Sequence, residues 1–314
     1  MKKKILFIIN PISGVGRHRT VERLIDERLN RTIFDYELAY TKASKHAIEL
    51  SKQGAEENFE IIVAVGGDGS VNEVGRSLVD VGRDLKSRPA LAILPCGSGN
   101  GTARHLDIPM NLEKAMQVIN QHKVTTIDTF KVNDETVINA AGIGFAAHIA
   151  HEFSKFKKRG FRNYLKIAVR DSLKYKSQMC EIDALPQPLP LGGEISSANP
   201  PQWGGHRRGF FFIIDICNGT QWGNNAVIAP HAENDDGLLD LCVVKDFPFR
   251  NFPLMAARLF THSIHRSKFV EIIKVKEVTI RQEKTIAHID GEPYNMGNEL
   301  RIKINPLSLK VIVP

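Results

Sequence analysis

The sequence predicts an α/β domain with an open, mainly parallel sheet in its N-terminal half, followed by a mainly β domain. Three observations predict it. Short apolar runs alternate with stretches of helical periodicity from residue 4 to about 121. Three of those runs end in polar turns that contain glycine. After about residue 124, strand-like runs follow one another with little helix between them.

The first strand is Ile5 to Ile9. Its lead, Met1-Lys2-Lys3-Lys4, superficially resembles a signal peptide, but the apolar run is too short for one and stops at Asn10-Pro11. Val21, Leu24, Ile25 and Leu29 then recur with helical spacing, and Phe34, Tyr36, Leu38 and Tyr40 alternate as in a half-buried strand. Ile61 to Val65 and Leu91 to Leu94 are further buried strands. Val71, Val74 and Leu78, and later Leu112, Ala115, Met116 and Ile119, mark helices between and after them. In the second half the strand candidates are Ile127 to Val132, Val137 to Ala141, Phe210 to Cys217, Leu238 to Val244, Val278 to Arg281 and Leu300 to Ile304. Helices are expected near Phe161 to Lys176 and Phe252 to His262, and the Pro- and Gly-rich residues 186–207 read as a surface loop. The domain boundaries are accordingly 1–124 and 125–305, with 306–314 free to pack back on the first domain.

A length of 314 residues suits two domains, each able to bury its own core. The net charge of +7 argues for an anionic partner: nucleic acid, a membrane surface or a phosphorylated small molecule. The cysteines Cys96, Cys180, Cys217 and Cys242 lie far apart without a CxxC pair, which speaks against a disulfide framework or zinc and fits a reducing cytoplasm. No apolar stretch approaches the length of a membrane-spanning helix, so membrane contact is expected to be peripheral.

The strongest local signal is the strand Ile61 to Val65 running into Gly66-Gly67-Asp68-Gly69-Ser70, with Asn72 and Glu73 opening a helix. Glycines let the backbone turn sharply and bring amide N–H groups to a phosphate, and the following helix presents its positive end. Asp68 beside such a cradle suits a magnesium ion. A second loop, Pro95-Cys96-Gly97-Ser98-Gly99-Asn100-Gly101, and a third, Asn10-Pro11-Ile12-Ser13-Gly14, end neighbouring strands in the same manner. In a doubly wound sheet such strand ends line one crevice. No Walker A pattern is present, and Gly142-Ile143-Gly144-Phe145-Ala146-Ala147, which fits a loose dinucleotide fingerprint, reads as a structural turn. Asp290-Gly291-Glu292 has two readings, a polar hairpin turn or a pair of functional carboxylates.

Taken in order, these loops, the Asp235-Asp236-Gly237-Leu238-Leu239-Asp240 run and Asp290-Gly291-Glu292 resemble the diacylglycerol kinase catalytic family, in particular its soluble bacterial lipid kinases and the related sphingosine kinases. The resemblance covers nearly the whole chain. It implies a phosphofructokinase- and NAD-kinase-like nucleotide domain, a C-terminal β-sandwich, and ATP and lipid meeting between them. It also implies nucleotide contacts at Asn10, Pro11, Ile12, Ser13, Gly14, Thr41, Gly66, Gly67, Asp68, Gly69, Ser70, Asn72, Glu73 and Ser98. Asp290 takes the part of general base, Glu292 and Asp68 assist the catalytic Mg2+, and a structural Mg2+ is held by Asp236 with the carbonyls of Glu233 and Leu238. One departure is Gly101, where many bacterial members carry an aspartate. The alternatives are a soluble-substrate kinase of the NAD kinase type and a catalytically silent lipid- or nucleotide-binding protein.

Residues 155–176 are strongly basic, and Arg162, Lys166, Arg170 and Lys174 recur every four residues. A helix there presents this stripe outward, to solvent or to an anionic membrane, while Phe161, Leu165, Ala168, Val169 and Leu173 form the buried face. A cytoplasmic protein peripheral to the inner membrane face is expected, with a lipid substrate and no nucleic acid. Its oligomeric state is left open.

Overall fold

The computed structural model describes residues 2–13, 18–82, 84–156, 161–184 and 205–314, without the side chains at 18–19 and 161–164. The chain divides into two units. The first comprises Met1–Thr129, Trp222–Asn225 and Leu307–Pro314, and the second Phe130–Gln221 and Ala226–Pro306. The expected boundary at 124/125 therefore lies slightly early. Leu307–Pro314 belongs to the first unit, and so does the short insertion Trp222–Asn225, which no sequence signal announced.

The first unit alternates strands and helices: β1 (Lys3–Ile9), α1 (His18–Arg28), β2 (Phe34–Tyr40), α2 (His46–Glu56), β3 (Ile61–Gly66), α3 (Asp68–Asp80), β4 (Ala90–Pro95), α4 (Gly101–His105), α5 (Leu112–Gln121) and β5 (Lys123–Val132). The parallel order is β2-β1-β3-β4, with Ile5 opposite Ile61 and Ile62 opposite Leu91. β3 and β4 are buried at every position, as strands covered on both faces must be, and so they read as unbroken apolar runs. α5 shows how a helix follows from its letters. Asn111 caps it by accepting the Lys114 N–H at 3.0 Å, Ala115, Met116 and Ile119 form its buried stripe, and His122 ends it in a left-handed conformation.

The second unit contains β6 (Glu135–Val137), β7 (Ala140–Gly144), α6 (Phe145–Ser154), α7 (Phe161–Ser172), β8 (Gln178–Ala184), β9 (Gly205–Cys217), β10 (Leu239–Lys245), α8 (Phe252–Phe260), β11 (Val270–Val275), β12 (Glu277–Gln282), β13 (Ile286–Ile289), β14 (Glu292–Asn295) and β15 (Glu299–Val313), whose last residues lie in the first unit. Its strand pairs are antiparallel, in the order β14-β13-β7-β9-β8-β12-β15, with β10 and β11 continuing from β9. β9 is the corner of the sandwich. Its first half pairs with β8, its second half pairs with β7 and β10, and a register shift at Val244/Lys245 marks the bend. Ile143, Ile182, Ile214, Ile216, Leu241 and Ile280 fill the core between the layers.

One expectation is corrected here. Leu165 and Val169 of α7, and Leu173 just past its end, are not buried but exposed, at 43%, 51% and 63%, whereas Ile167 and Asp171 face inward. The cause is polar. The Asp171 carboxylate binds Arg170, its neighbour in sequence, and the His148 ring of α6 at 3.0 Å. The His148 contact holds the Asp171 face of the helix against α6, and the larger apolar side chains point outward beside Lys166 and Lys174. Of the remaining basic stretch, 157–160 lies outside the described residues, as does the expected loop from 186 to 204.

Candidate functional site

In the first unit the three predicted strand ends lie together at the carboxyl edge of the sheet. β1 leads into Asn10, whose amide donates to the Val65 carbonyl at 3.0 Å and whose side chain donates to Ser70 Oγ at 3.3 Å. The Asn10 carboxamide also accepts the Ile12 N–H, which leaves Ile12 almost fully exposed. Ser13 N–H returns to the Asn10 carbonyl at 3.1 Å, and Gly14 lies outside the described residues. Thr41, after β2, donates its N–H to Ile9 at 2.9 Å.

Gly66 accepts from the amides of Cys96 and Gly97, at 2.8 and 3.1 Å, and so joins the first two glycine loops. The join tolerates no side chain: a Cβ on Gly97 would stand 2.3 Å from the Gly67 Cα. Gly67 precedes α3 without a side-chain cap, and the first turn of the helix, Asp68 to Ser70, brings its backbone amides to the glycine loops. That is the geometry an anionic phosphate needs. The Asp68 carboxylate lies against the second loop, where Oδ1 accepts the Thr102 N–H at 3.4 Å and a Cβ on Gly99 would meet Oδ2 at 2.8 Å. A hard oxygen donor at a glycine-walled turn suits magnesium.

Asn100 closes the second loop from within. It sits at φ 52°, accepts the Gly97 N–H at 3.0 Å and donates back to the Gly97 carbonyl at 2.9 Å. Ser98 is left exposed beside it, and Gly101 is the buried first residue of α4. The inserted Trp222–Asn225 segment locks the same loop, since Asn224 N–H donates to Gly99 O at 3.1 Å and Asn225 accepts from Arg104. Asn72 is buried. Glu73 uses its carboxylate elsewhere: it accepts the Lys45 and Ala47 amides at 2.8 and 3.3 Å and caps α2, whose Lys45 is left-handed.

In the second unit, Asp290 and Gly291 form a two-residue hairpin turn between β13 and β14, both with positive φ, and Ile289 pairs with Glu292. The turn reading is therefore geometrically right, yet the carboxylate is far from solvated. It accepts three backbone N–H bonds, from Ile138 at 3.3 Å, Asn139 at 3.0 Å and Ala140 at 2.8 Å, and Asp290 N–H donates to Ala140 O at 2.8 Å. These donors fix the side chain as an acceptor in one orientation. Asn139 and Asn218, which sequence reasoning missed, hold that segment: Asn218 donates to Ile138 O at 2.8 Å and Asn139 to Gln221 O at 3.0 Å. Glu292 is half-buried at the start of β14.

Behind the turn lies a buried His288–Asp215 pair, 2.9 Å apart. Both flank Gly142 in the sheet register, and a Cβ there would fall 1.9 Å from Asp215 Oδ1. Gly142 thus serves this pair rather than a dinucleotide.

At the predicted structural magnesium turn, Asp236 Oδ1 accepts the Leu238 N–H at 2.9 Å and Oδ2 meets Lys274 Nζ at 2.8 Å. Lys274 also meets Asp240 at 2.9 Å. Burial opposes the Lys274 charge, but the bonds from Asp236 and Asp240 outweigh it and hold the ammonium above its ordinary range. Burial pushes the Asp240 carboxyl upward, and Lys274 pulls it back. An internal cation thus sits beside the one side-chain ligand expected for the metal. As they stand, the residues fit a metal there only if Lys274 swings away. The exposed Glu233 contributes no side chain to this cluster.

The chain thus combines a parallel sheet with glycine-rich strand ends and an antiparallel sandwich, and comparison with known proteins assigns the class, that of the lipid kinases. Residues 4–132 match the diacylglycerol kinase catalytic domain, and residues 139–313 match the YegS C-terminal NAD kinase beta sandwich-like domain. The chain belongs to the diacylglycerol kinase catalytic family, in its YegS-like branch. It is 30% identical to a "Probable lipid kinase YegS-like" protein of Enterobacter sp. (strain 638), over 98% of this chain and 95% of that one. A protein of the same description from Cronobacter sakazakii is 31% identical over 87% and 83%. The crystal structure of a diacylglycerol kinase from Bacillus anthracis str. Sterne has the same fold, with a TM-score of 0.70, 22% identity, and coverage of 99% of this chain and 97% of that one.

Proposed function

We propose that this lipid kinase transfers the γ-phosphoryl group of ATP to the hydroxyl of a lipid, with Asp290 as general base. The observation that carries the reading is the glycine-on-glycine contact of Gly67 and Gly97 at the start of α3, which no side chain of Gly67 caps, in a chain of this family. In this reading the Asp68 to Ser70 amides, Asn10 and Ser98 orient the triphosphate. Asp68 is the carboxylate of the first unit that would hold Mg2+, which when bound offsets charge on the transferring phosphoryl group, and Glu292 is the carboxylate of the second unit suited to the same part. Asp290, its rotamer fixed by three amides, accepts the proton of the attacking alcohol. Glu73 supports the cradle indirectly, by capping α2.

The lipid stays in its bilayer, so the enzyme must meet the surface. The exposed Leu165, Val169 and Leu173 stripe, flanked by Lys166 and Lys174, supports docking on an anionic membrane by apolar insertion as well as charge. The deciding experiment incubates protein, Mg2+ and labelled ATP with a total lipid extract. Label in the organic phase supports the reading. Label confined to water-soluble acceptors overturns it in favour of a soluble-substrate kinase, and no transfer favours the silent binder that Gly101 would suit.

A further inference from the structure

We propose that the first unit carries a second anion-binding site, for a phosphate or small phosphomonoester dianion, at the amino edge of its parallel sheet. A cavity of about 330 Å³ opens there, lined by Lys3, Lys86, Arg88 and Lys310, with Glu60 and His122 at its rim. The cations arrive from three parts of the chain: the start of β1, the turn Leu85–Ser87 with the residue after it, and the end of β15. Four positive side chains face one carboxylate, and that carboxylate stands 3.5 Å from Lys3 with both groups largely exposed. Among the described residues no carboxylate lies within ion-pair distance of Lys86 or Lys310.

Two of the cations are held in place rather than loosely splayed. Lys310 Nζ donates to the Lys86 carbonyl at 3.1 Å, and Arg88 Nη1 donates to the Ser308 carbonyl at 3.1 Å. An ammonium has three N–H donors, so Lys310 keeps capacity for a ligand. Burial, then Arg88 and Lys3, push the Lys310 charge below its ordinary range, with only Glu60 opposing. A bound dianion relieves that repulsion. The cavity volume is at the small end of ligand pockets, which run from roughly 300 Å³ upward, so it suits a phosphate with little attached to it. The site is not part of the glycine cradle, because the six residues of β3 separate the two edges by about 20 Å at ~3.3 Å per residue.

The test is a titration of isotope-labelled full-length protein with inorganic phosphate at low ionic strength, followed by NMR. Amides of 58–61, 87, 88 and 90 report the cavity, and those of 67–70 report the glycine loops independently. Saturable shifts in the first set, weakened about tenfold or more in Lys86→Gln and in Lys86→Gln/Lys310→Gln, support the proposal. Non-saturating shifts, or identical curves in the variants, overturn it. Lys86 is exposed, so its single variant keeps the test valid if the double variant does not fold. Glycerol 3-phosphate and vesicles of phosphatidylcholine with phosphatidic acid then separate the sources. A response to the soluble ester assigns a free metabolite, and a response to the vesicles alone assigns a lipid headgroup.

Discussion

Replacing Asp290 separates its chemistry from its structural work. In Asp290→Asn the carboxamide oxygen can keep the Asn139 and Ala140 bonds, but the amino group then faces the Ile138 N–H at the 3.3 Å position. One bond of about 1 kcal/mol is lost, and a buried donor left facing a donor adds about 1–2 kcal/mol. The expected destabilisation is about 2–3 kcal/mol, a fall in Tm of roughly 4–12 °C for a unit of this size. Asn tolerates the φ of 47°, so backbone strain adds little. Asp290→Ala is worse: it orphans three amides, and its Cβ stays in the left-handed region without the local hydrogen bonding that lets Asp adopt it, a strain of about 1–2 kcal/mol. Asp290→Gly removes the same bonds without that strain and should melt above Ala. Loss of a general base lowers turnover by about 10²–10⁴-fold, while ATP binding, measured by calorimetry, stays unchanged. A Tm drop with full turnover would mean that Asp290 only braces the turn and the base lies elsewhere. Lost turnover with an unchanged Tm would mean that the three amides do not hold it.

Four further outcomes are expected. Lys274→Met should leave Asp236 and Asp240 uncompensated, lowering Tm without divalent ions and making it rise with added Mg2+; a wild-type Tm equally sensitive to Mg2+ would refute the internal cation. Gly97→Ala drives a Cβ to 2.3 Å from Gly67, so overpacking of about 1–3 kcal/mol should weaken ATP binding about tenfold, and an unchanged affinity would argue against the shared cradle. Replacing Leu165, Val169 and Leu173 together with Ser should reduce sedimentation with anionic vesicles ~100-fold, at about 1 kcal/mol for each half-covered side chain; unaltered binding would assign docking elsewhere. Arg170 first, with His148 adding to it against burial, pulls the Asp171 carboxyl down to about 2. Its stabilising contribution is therefore complete above the unfolded carboxylate pKa of about 3.9 and fades as pH falls toward 2. Hydrogen exchange in α7 should rise across that window, and Asp171→Asn should flatten the dependence.

The elements legible in the sequence are those whose partners do not matter. β1, β3 and β4 are buried on both faces, so their composition alone declares them, and the glycines at their ends mark the cradle. β8 was missed because its buried face, Gln178, Cys180, Ile182 and Ala184, begins with a polar residue and is short of large apolar side chains, with Glu181 and Asp183 alternating between them. α6 hid behind the Gly142-Gly144 pattern. The phase of α7 followed its largest apolar side chains, whereas Asp171, inward because His148 is there, decides it. At the site, the loops and the Asp290 turn were readable, but the parts played by Glu73, Asn139, Asn218 and Lys274 depend on groups distant in sequence.

The contact over Gly142 also makes a genetic statement. Since both the Asp215 carboxylate and the Ile214 backbone carbonyl occupy the space where any side chain at 142 would begin, a smaller residue at 215 does not by itself free position 142 to vary. A suppressor screen begun from a crippled Gly142→Ala allele should therefore return true revertants to glycine ahead of changes at 215, because the backbone obstacle stays in every background.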